Sequence, residues 1–203
     1  LPGLLGPAIA AVVVTGVGFD ALRHIGHDRE RVLATLPVLF GVHQAIEVPV
    51  WWAVDGSLSA GVGDVFALLY LIIAFGLLPW LVPAAAHRLE ADRRRRRGMA
   101  ALGALGVGVS LTLIVATIRG PISVVDGGNL LDYSVPIGSL GGLITGLYVV
   151  ATCGALLLSS DRVVRRYGVM NLVAVTLLAV LLSEGVISRC SCCHQPFSAD
   201  RKS

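Results

Sequence analysis

Charged side chains are scarce in this sequence. Asp, Glu, Lys and Arg make up 14% of its 203 residues, whereas a soluble domain carries about 25%. Hydrophobic residues make up 55%, and the mean hydropathy is +0.81. An apolar surplus of this size cannot all be buried in one water-soluble core, so an ordinary soluble domain is excluded and much of the surface is expected to face lipid.

Sequence motifs of soluble enzymes are also absent. The chain has no CxxCH, GxxxxGK[ST], GxSxG or HExxH pattern. Its four cysteines comprise Cys153 in an apolar stretch and three near the C-terminus, which is not a disulfide framework. We therefore expect no cofactor and no bound metal, and a role without catalysis is favoured over an enzymatic one.

Six apolar stretches are long enough to span a bilayer, since a helix needs about 20 mostly apolar residues to cross the hydrocarbon. Backbone groups in lipid must bond internally, so these stretches are predicted to be helices. The expected fold is an all-α, polytopic transmembrane bundle occupying residues 1–188. The predicted spans are Leu4–Leu22, Val32–Ala53, Val62–Ala86, Met99–Ile118, Ile137–Ser159 and Tyr167–Ile187.

Basic residues are concentrated in three alternate loops. These loops hold three, six and three arginines in turn, or twelve of the sixteen basic residues. The positive-inside rule then predicts that they face the cytoplasm of a bacterium, with the N-terminus outside the inner membrane. The arginines are Arg23, Arg29 and Arg31, then Arg88 and Arg93–Arg97, then Arg162, Arg165 and Arg166.

The largest group of arginines has two interpretations. Arg88, Arg93, Arg94, Arg95, Arg96 and Arg97 could set the topology and contact anionic lipid headgroups, each contributing about 1 kcal/mol near the surface. A nucleic-acid contact is the alternative. The lipid interpretation is favoured because the run adjoins a membrane face, so the expected partner is the anionic cytoplasmic face of the bilayer and not a nucleic acid.

Small residues line the fifth predicted span. Gly138, Gly142 and Gly146 form GxxxGxxxG, and Gly154 falls on the same stripe. Such a stripe lets another backbone approach closely. We favour packing within the chain, with a homo-oligomer interface as the alternative. Ala100, Ala104 and Gly108 form a weaker stripe on the fourth span.

Prolines and a turn signal mark two irregular regions. Pro37 and Pro49 in the second span, and Pro79 and Pro83 in the third, predict kinks or broken turns. Between the fourth and fifth spans, the turn signal DGGN, which begins at Asp126, has β-prone residues on both sides. An ordered loop or small hairpin is expected there.

One face of the second span carries unusual polarity. His43 and Glu47 are four residues apart and therefore share a face. An ionisable group at this depth costs about 2.5–3.5 kcal/mol, so it should face the bundle interior with a partner. We predict a polar pocket opening outward, built from His43, Gln44, Glu47, Tyr70, Tyr148 and Glu184.

Three roles are open for this pocket. His43 could bond Glu47 or another helix and fix the fold, leaving a non-enzymatic membrane protein with a polar intramembrane site. The site could instead bind or transport a small solute or a proton. A membrane-embedded metal-dependent hydrolase ranks third, because zinc catalysis usually needs three protein ligands and only one histidine lies within the spans.

The C-terminal segment 189–203 is expected to be a disordered polar tail. Cys190, Cys192, Cys193 and His194 lie within five residues, which is too tight for an ordinary tetrahedral zinc site.

The stretch from Leu39 to Glu47, LFGVHQAIE, followed by Trp51-Trp52, resembles the signature of an uncharacterised multi-pass membrane family of high-GC bacteria. The runs RGP at Arg119, YVVATCG at Tyr148 and NLVAV at Asn171 resemble it as well. The resemblance covers all six spans but implies no reaction. Members of that family begin with a short Cys-Trp segment and continue into a seventh apolar helix, and this sequence has neither.

Overall fold

The computed structural model describes the backbone of residues 2–26, 31–126 and 131–192, and the side chains of residues 5–26, 31–125 and 131–177. The chain is an all-α helical bundle with one two-stranded sheet, as predicted. A π-helical turn, Ile72–Leu77, joins α3 to α4, and a 3-10 turn, Gly138–Leu140, precedes α6. The elements are α1 Pro2–Arg23, α2 Arg31–Val54, α3 Ala60–Leu71, α4 Leu78–Leu89, α5 Arg93–Arg119, β1 Ser123–Asp126, β2 Leu131–Ser134, α6 Gly141–Leu157 and α7 Arg162–Cys192.

Five helical segments of the described chain are long and apolar enough to cross a membrane, which identifies the chain as a membrane protein. The sixth predicted span lies within α7, whose side chains are described only as far as residue 177. Helix α7 continues to Cys192, so the first four residues of the predicted tail are helical, and residues 193–203 lie outside the described part. The five segments are Leu5–Arg23, Arg31–Val54, Ala60–Leu89, Arg93–Arg119 and Gly138–Leu157.

Two apolar clusters define opposite ends of the bundle. At one end, Leu36 at the start of α2 packs with Ala85 near the end of α4 and Leu156 near the end of α6. The α4–α5 and α6–α7 linkers meet here, and we call this the arginine end. At the other, Val50 near the end of α2 packs with Ala67 of α3 and Leu131 of β2. We call this the hairpin end.

The third predicted span is a continuous helical rod that contains the π-helical turn. Pro79 follows this turn by two residues, and because it lacks an N–H it removes one backbone hydrogen bond from the rod. Helix α5 touches the rod here, since a Cβ added to Gly106 would collide with the Pro79 carbonyl. An irregular turn is therefore present in the span of Pro79 and Pro83, whereas α2 runs as one α-helix through Pro37 and Pro49.

The glycines predicted to pack helices meet few described neighbours. Gly154 lies beside α5, where an added Cβ would come within 3.4 Å of Leu102, but Gly142 and Gly146 face open space among the described residues. Gly138 has a φ of +65° and is needed by the 3-10 turn that begins with it. On α5, Ala100, Ala104 and Gly108 are exposed, so the packing contact at Gly106 lies on a different face from the predicted stripe.

Candidate functional site

One face of α2 carries three buried polar side chains at four-residue intervals. His43 is 6% exposed, Glu47 is 8% exposed and Trp51 is 7% exposed. Residues spaced by four lie on one face of a helix, and this face is directed toward α3 and the hairpin. Gln44, one residue along from His43, is half-buried.

Three aromatic rings are stacked in a column that begins at His43. The ring centroids of His43 and Tyr70 of α3 are 3.9 Å apart, with an interplanar angle of 19°. Tyr70 in turn stacks on Tyr133 of β2, at 4.7 Å and 9°. Stacked aromatic pairs contribute about 0.5–1.5 kcal/mol beyond burial. The column therefore ties the interior of the bundle to the hairpin.

The strand register explains why Tyr133 reaches the bundle. Val124 of β1 pairs with Tyr133 in the antiparallel ladder. Side chains alternate between the two faces of a strand, so Leu131 and Tyr133 turn toward α2 and α3 while Asp132 and Ser134 are exposed. The expected hairpin is confirmed, and one strand of it covers the polar face of α2.

Several buried polar atoms in this region have no hydrogen-bond partner within the described part of the chain. They are His43 Nδ1, Trp51 Nε1 and the Tyr133 hydroxyl. Burial, followed by the nearby Glu47 carboxylate and Tyr70, raises the pKa of Tyr133 above its ordinary value. Its hydroxyl therefore keeps its proton at neutral pH and remains available as a hydrogen-bond donor.

Glu47 also lacks a compensating charge. The one ion pair among the described residues joins His24 and Asp20 on α1, so no described cation neutralises the Glu47 carboxylate. No described residue donates a hydrogen bond to the Glu47 carboxylate either. A His43–Glu47 hydrogen bond, one of the contacts considered for His43 from the sequence, is not made, although the two side chains share a buried face.

Tyr148 and Glu184 are the remaining residues of the predicted pocket. The Tyr148 hydroxyl of α6 donates to the backbone oxygen of Ala74, 3.0 Å away in the π-helical turn. Glu184 belongs to α7, but its side chain lies outside the described residues. The structure thus brings His43, Glu47 and Tyr70 together, and Tyr148 lies near Tyr70 with its hydroxyl bonded to the π-helical turn.

Tyr148 lines a separate cavity of about 320 Å³ between α2, α4, α5, α6 and α7. Its walls are mainly apolar, and the polar side chains of Tyr148, Thr152 and Asn171 already have partners. Thr152 donates to the Tyr148 carbonyl at 2.9 Å, and the Asn171 amide lies 3.5 Å from Cys153 Sγ. Phe40, Leu78, Leu113, Ile144 and Val175 form most of the apolar wall.

Sequence reasoning missed one member of the site, Tyr133. Spacing places Trp51 on the same helical face as Glu47, four residues further along, although Trp51 is not among the predicted pocket residues. Tyr133 could have been found by pairing the hairpin strands, because alternation along β2 turns every second residue toward the helices. No group of three or more potential metal ligands occurs among the described residues.

The predicted arginine run forms the first turns of α5 at the arginine end. Arg93–Arg97 are exposed, as is Arg88 at the end of α4. Asp92 caps α5 by accepting a 2.8 Å hydrogen bond from the Arg95 backbone N–H. The Arg95 guanidinium also donates to the Leu158 carbonyl at 3.1 Å. Cationic side chains are unfavourable at the N-terminus of a helix, so helix stability does not explain the arginine run.

Glu90 joins two linkers at the same end. Its side chain is 4% exposed and accepts hydrogen bonds from the Ser160 backbone N–H at 2.7 Å and the Ser160 hydroxyl at 2.5 Å. The Asp92 backbone N–H donates a third, at 3.0 Å. Burial alone would raise the pKa of Glu90, but these hydrogen bonds and the Arg95 charge outweigh it and lower the pKa.

These features define a helical membrane protein with a buried polar face closed by a hairpin. Residues 6–196 match a family of unknown function, DUF6629. The chain therefore belongs to that family, and the match includes the start of the cysteine-containing segment. No curated protein and no solved structure matches the chain.

Proposed function

We propose that this protein binds a small cation, either a proton or a small organic cation, at Glu47, and that it does so without catalysing a reaction. The observation that carries the proposal is the buried, uncompensated Glu47 carboxylate on α2. A lone carboxylate in a low-dielectric interior is costly unless it is protonated or paired with a cation. Binding of a cation satisfies this requirement.

The surroundings of Glu47 suit such a ligand. Aromatic rings attract organic cations through their negatively charged faces, and Tyr70, Tyr133 and Trp51 surround the same part of α2. The unpartnered atoms of His43, Trp51 and Tyr133 can hydrogen-bond to water that accompanies the ligand. The hairpin supplies the wall that separates the site from that end of the bundle.

A transport role is the second candidate. The π-helical turn Ile72–Leu77 begins two residues after Tyr70 in the same rod. π-helical turns are frequent at functional sites, and interrupted helices at substrate sites are typical of transporters. A hydrolase is less favoured, since no described group of three metal ligands adjoins His43.

The proposal includes an orientation in the membrane. The protein resides in the cytoplasmic membrane of a high-GC bacterium, with the arginine end in the cytoplasm and the N-terminus outside. The basic loops support this through the positive-inside rule. Exposed Arg88 and Arg93–Arg97 then contact anionic headgroups. The open glycines Gly142 and Gly146 are available for contact with a second copy of the chain.

Thermal unfolding of the purified protein tests the Glu47 site. A ligand that binds only the folded state stabilises it by about 2.7 kcal/mol at 100 times its Kd. We expect the unfolding midpoint of the wild type to rise with an added organic cation such as tetramethylammonium or choline, or to fall as the pH rises and the buried carboxylate loses its proton. Glu47→Gln should remove whichever response is seen.

Asp64→Asn is the matched control, because Asp64 is an exposed carboxylate on α3 near the same end. It should respond to cations and pH as the wild type does. Tyr133→Phe keeps the ring stack but removes the unpartnered hydroxyl, and should weaken the response without abolishing it. If Glu47→Gln and the wild type respond alike, or the wild type responds to neither treatment, Glu47 is structural and the proposal is wrong.

A further inference from the structure

A shallow groove of about 640 Å³ lies at the arginine end, between the last turn of α6 and the first turns of α7. Its lining residues are Leu157, Arg162, Arg165, Arg166, Val169 and Met170. It is distinct from the His43–Glu47 site, which adjoins the hairpin.

Helical spacing gives this groove two chemically different halves. Arg162, Arg165 and Arg166 share one face of the first turns of α7, and Val169 and Met170 continue that face along the helix. Val169 is 48% exposed and Met170 is 69% exposed. The half of the groove at the start of α7 is therefore cationic, and the other half is apolar.

The cationic half lacks an anionic partner among the described residues. The nearest carboxylate in sequence, Asp161, instead accepts from the backbone N–H groups of Val163 at 2.7 Å and Val164 at 3.4 Å. Arg165 donates to the Ser159 carbonyl at 3.4 Å. Arg162 and Arg166 form no ion pair there, since the single described pair is His24–Asp20.

Three arginines at the start of a helix also oppose its macrodipole, which favours anions at that end. An anion seated among them would be attracted both by the guanidinium groups and by the helix terminus. Arginine suits phosphate in particular, because its planar donors match phosphate oxygens in a bidentate arrangement.

We propose that this groove is a binding site for an anionic phospholipid. The phosphate lies against Arg162 and Arg166, and an acyl chain follows Val169 and Met170 along α7. A soluble phosphate would use only the cationic half and leave the apolar half exposed. A zwitterionic lipid carries a choline or ethanolamine cation that the three arginines repel.

Lipid-dependent stability of the purified protein provides the main test. We expect phosphatidylglycerol to raise the unfolding midpoint more than phosphatidylcholine does. Arg162→Gln combined with Arg166→Gln should weaken the apparent affinity for phosphatidylglycerol about tenfold or more. The control, Arg23→Gln combined with Arg119→Gln, removes the same number of charges from two exposed arginines outside both the groove and the Arg93–Arg97 run, and should retain wild-type affinity.

Two outcomes of this experiment would overturn the proposal. An equal loss of affinity in both double variants would mean that only general surface charge matters. Full competition by water-soluble glycerol phosphate would mean that the site recognises free phosphate and not a lipid.

A crosslinking measurement leaves every arginine in place and covers the case in which the double variant fails to fold. A photoreactive benzophenone side chain is placed at Met170 in vesicles of mixed phosphatidylglycerol and phosphatidylcholine. We expect crosslinks enriched in phosphatidylglycerol relative to the vesicle. The same group at Leu111, an exposed position on α5, should follow the bulk composition. Equal crosslinking at the two positions contradicts the site.

Discussion

At the scale of single residues, the closest packing in the bundle depends on a missing side chain. Gly106 and Gly108 are two residues apart on α5 and therefore face different directions. Gly106 is buried against the Pro79 carbonyl, whereas Gly108 meets no described atom within 4 Å. The two glycines look equivalent in sequence, yet only one of them allows α5 to touch the π-containing rod.

Gly106→Ala should destabilise the protein by about 1–3 kcal/mol, because the added methyl group collides with backbone that cannot move freely. Thermal unfolding in detergent measures the effect. Gly108→Ala is the matched control and should unfold at the wild-type temperature or slightly above it, since alanine also favours the helix. Equal midpoints for the two variants would contradict the packing of α5 on Pro79.

The sequence predicts some residues of the site and not others, for a physical reason. Hydropathy and spacing identify buried polar groups such as His43 and Glu47, because burial of charge in an apolar helix is rare. Hydropathy and spacing do not reveal which residue of another helix or strand lies opposite these buried groups. Tyr133 reaches the site through strand pairing, and Tyr148 is drawn to the Ala74 carbonyl by the π-helical turn, so neither position follows from the α2 pattern.

At the scale of elements, Glu90 makes the α4–α5 and α6–α7 linkers act as one unit. It accepts hydrogen bonds from Ser160 of one linker and Asp92 of the other. Arg95 adds a second connection, to the carbonyl of Leu158. The arginine ends of four helices are consequently held by a buried carboxylate as well as by apolar packing.

The lowered pKa of Glu90 predicts how stability changes with pH. The contribution of Glu90 is present above its ordinary pKa of 4.5, and it is lost as the pH falls through the lowered pKa of the folded state. Wild-type protein should therefore lose stability in this acidic range. Glu90→Gln should flatten that part of the profile and cost about 1–3 kcal/mol at neutral pH.

Unfolding midpoints measured from neutral pH down through this range provide the check. Ser160→Ala removes the hydroxyl donor but keeps the backbone N–H, so its profile should lie between those of the wild type and Glu90→Gln. A Glu90→Gln profile as steep as that of the wild type would show that other carboxyl groups cause the acid sensitivity.

The helices and the hairpin were predicted from the sequence more reliably than the positions of single residues were. Long apolar stretches predicted the helices, because backbone groups in lipid have no alternative partner, and the turn signal predicted the hairpin. The π-helical turn was not located, since the prolines indicate irregularity but not which turn absorbs it. The turn ends two residues before Pro79, where α5 packs on the rod through Gly106.

At the scale of the whole molecule, the two ends differ in chemistry. The arginine end carries exposed cations and two hydrogen-bonded linkers, while the hairpin end carries the sheet and the α2–α3 turn, where the Ser57 backbone N–H bonds Asp55 at 2.9 Å. The proposed orientation places these two ends on opposite sides of the membrane.

Cysteine labelling in intact cells tests the proposed orientation. In a background with Cys190, Cys192 and Cys193 changed to Ser, a membrane-impermeant maleimide should label Ser57→Cys directly. Ala91→Cys, in the α4–α5 linker, should be labelled only after permeabilisation. The opposite pattern would reverse the orientation, and direct labelling of both would contradict the two-sided bundle.

The ring column from His43 to Tyr133 also constrains when the site on α2 can form during synthesis of the chain. Ribosomes deliver α2 to the membrane before α3, and Tyr133 is synthesised only after α3, α4 and α5 are complete. Until then, the Tyr70 ring of α3 covers His43, but the hairpin that closes the rest of this face is missing. We therefore expect the α2 site to be completed only late in synthesis, when the hairpin reaches it.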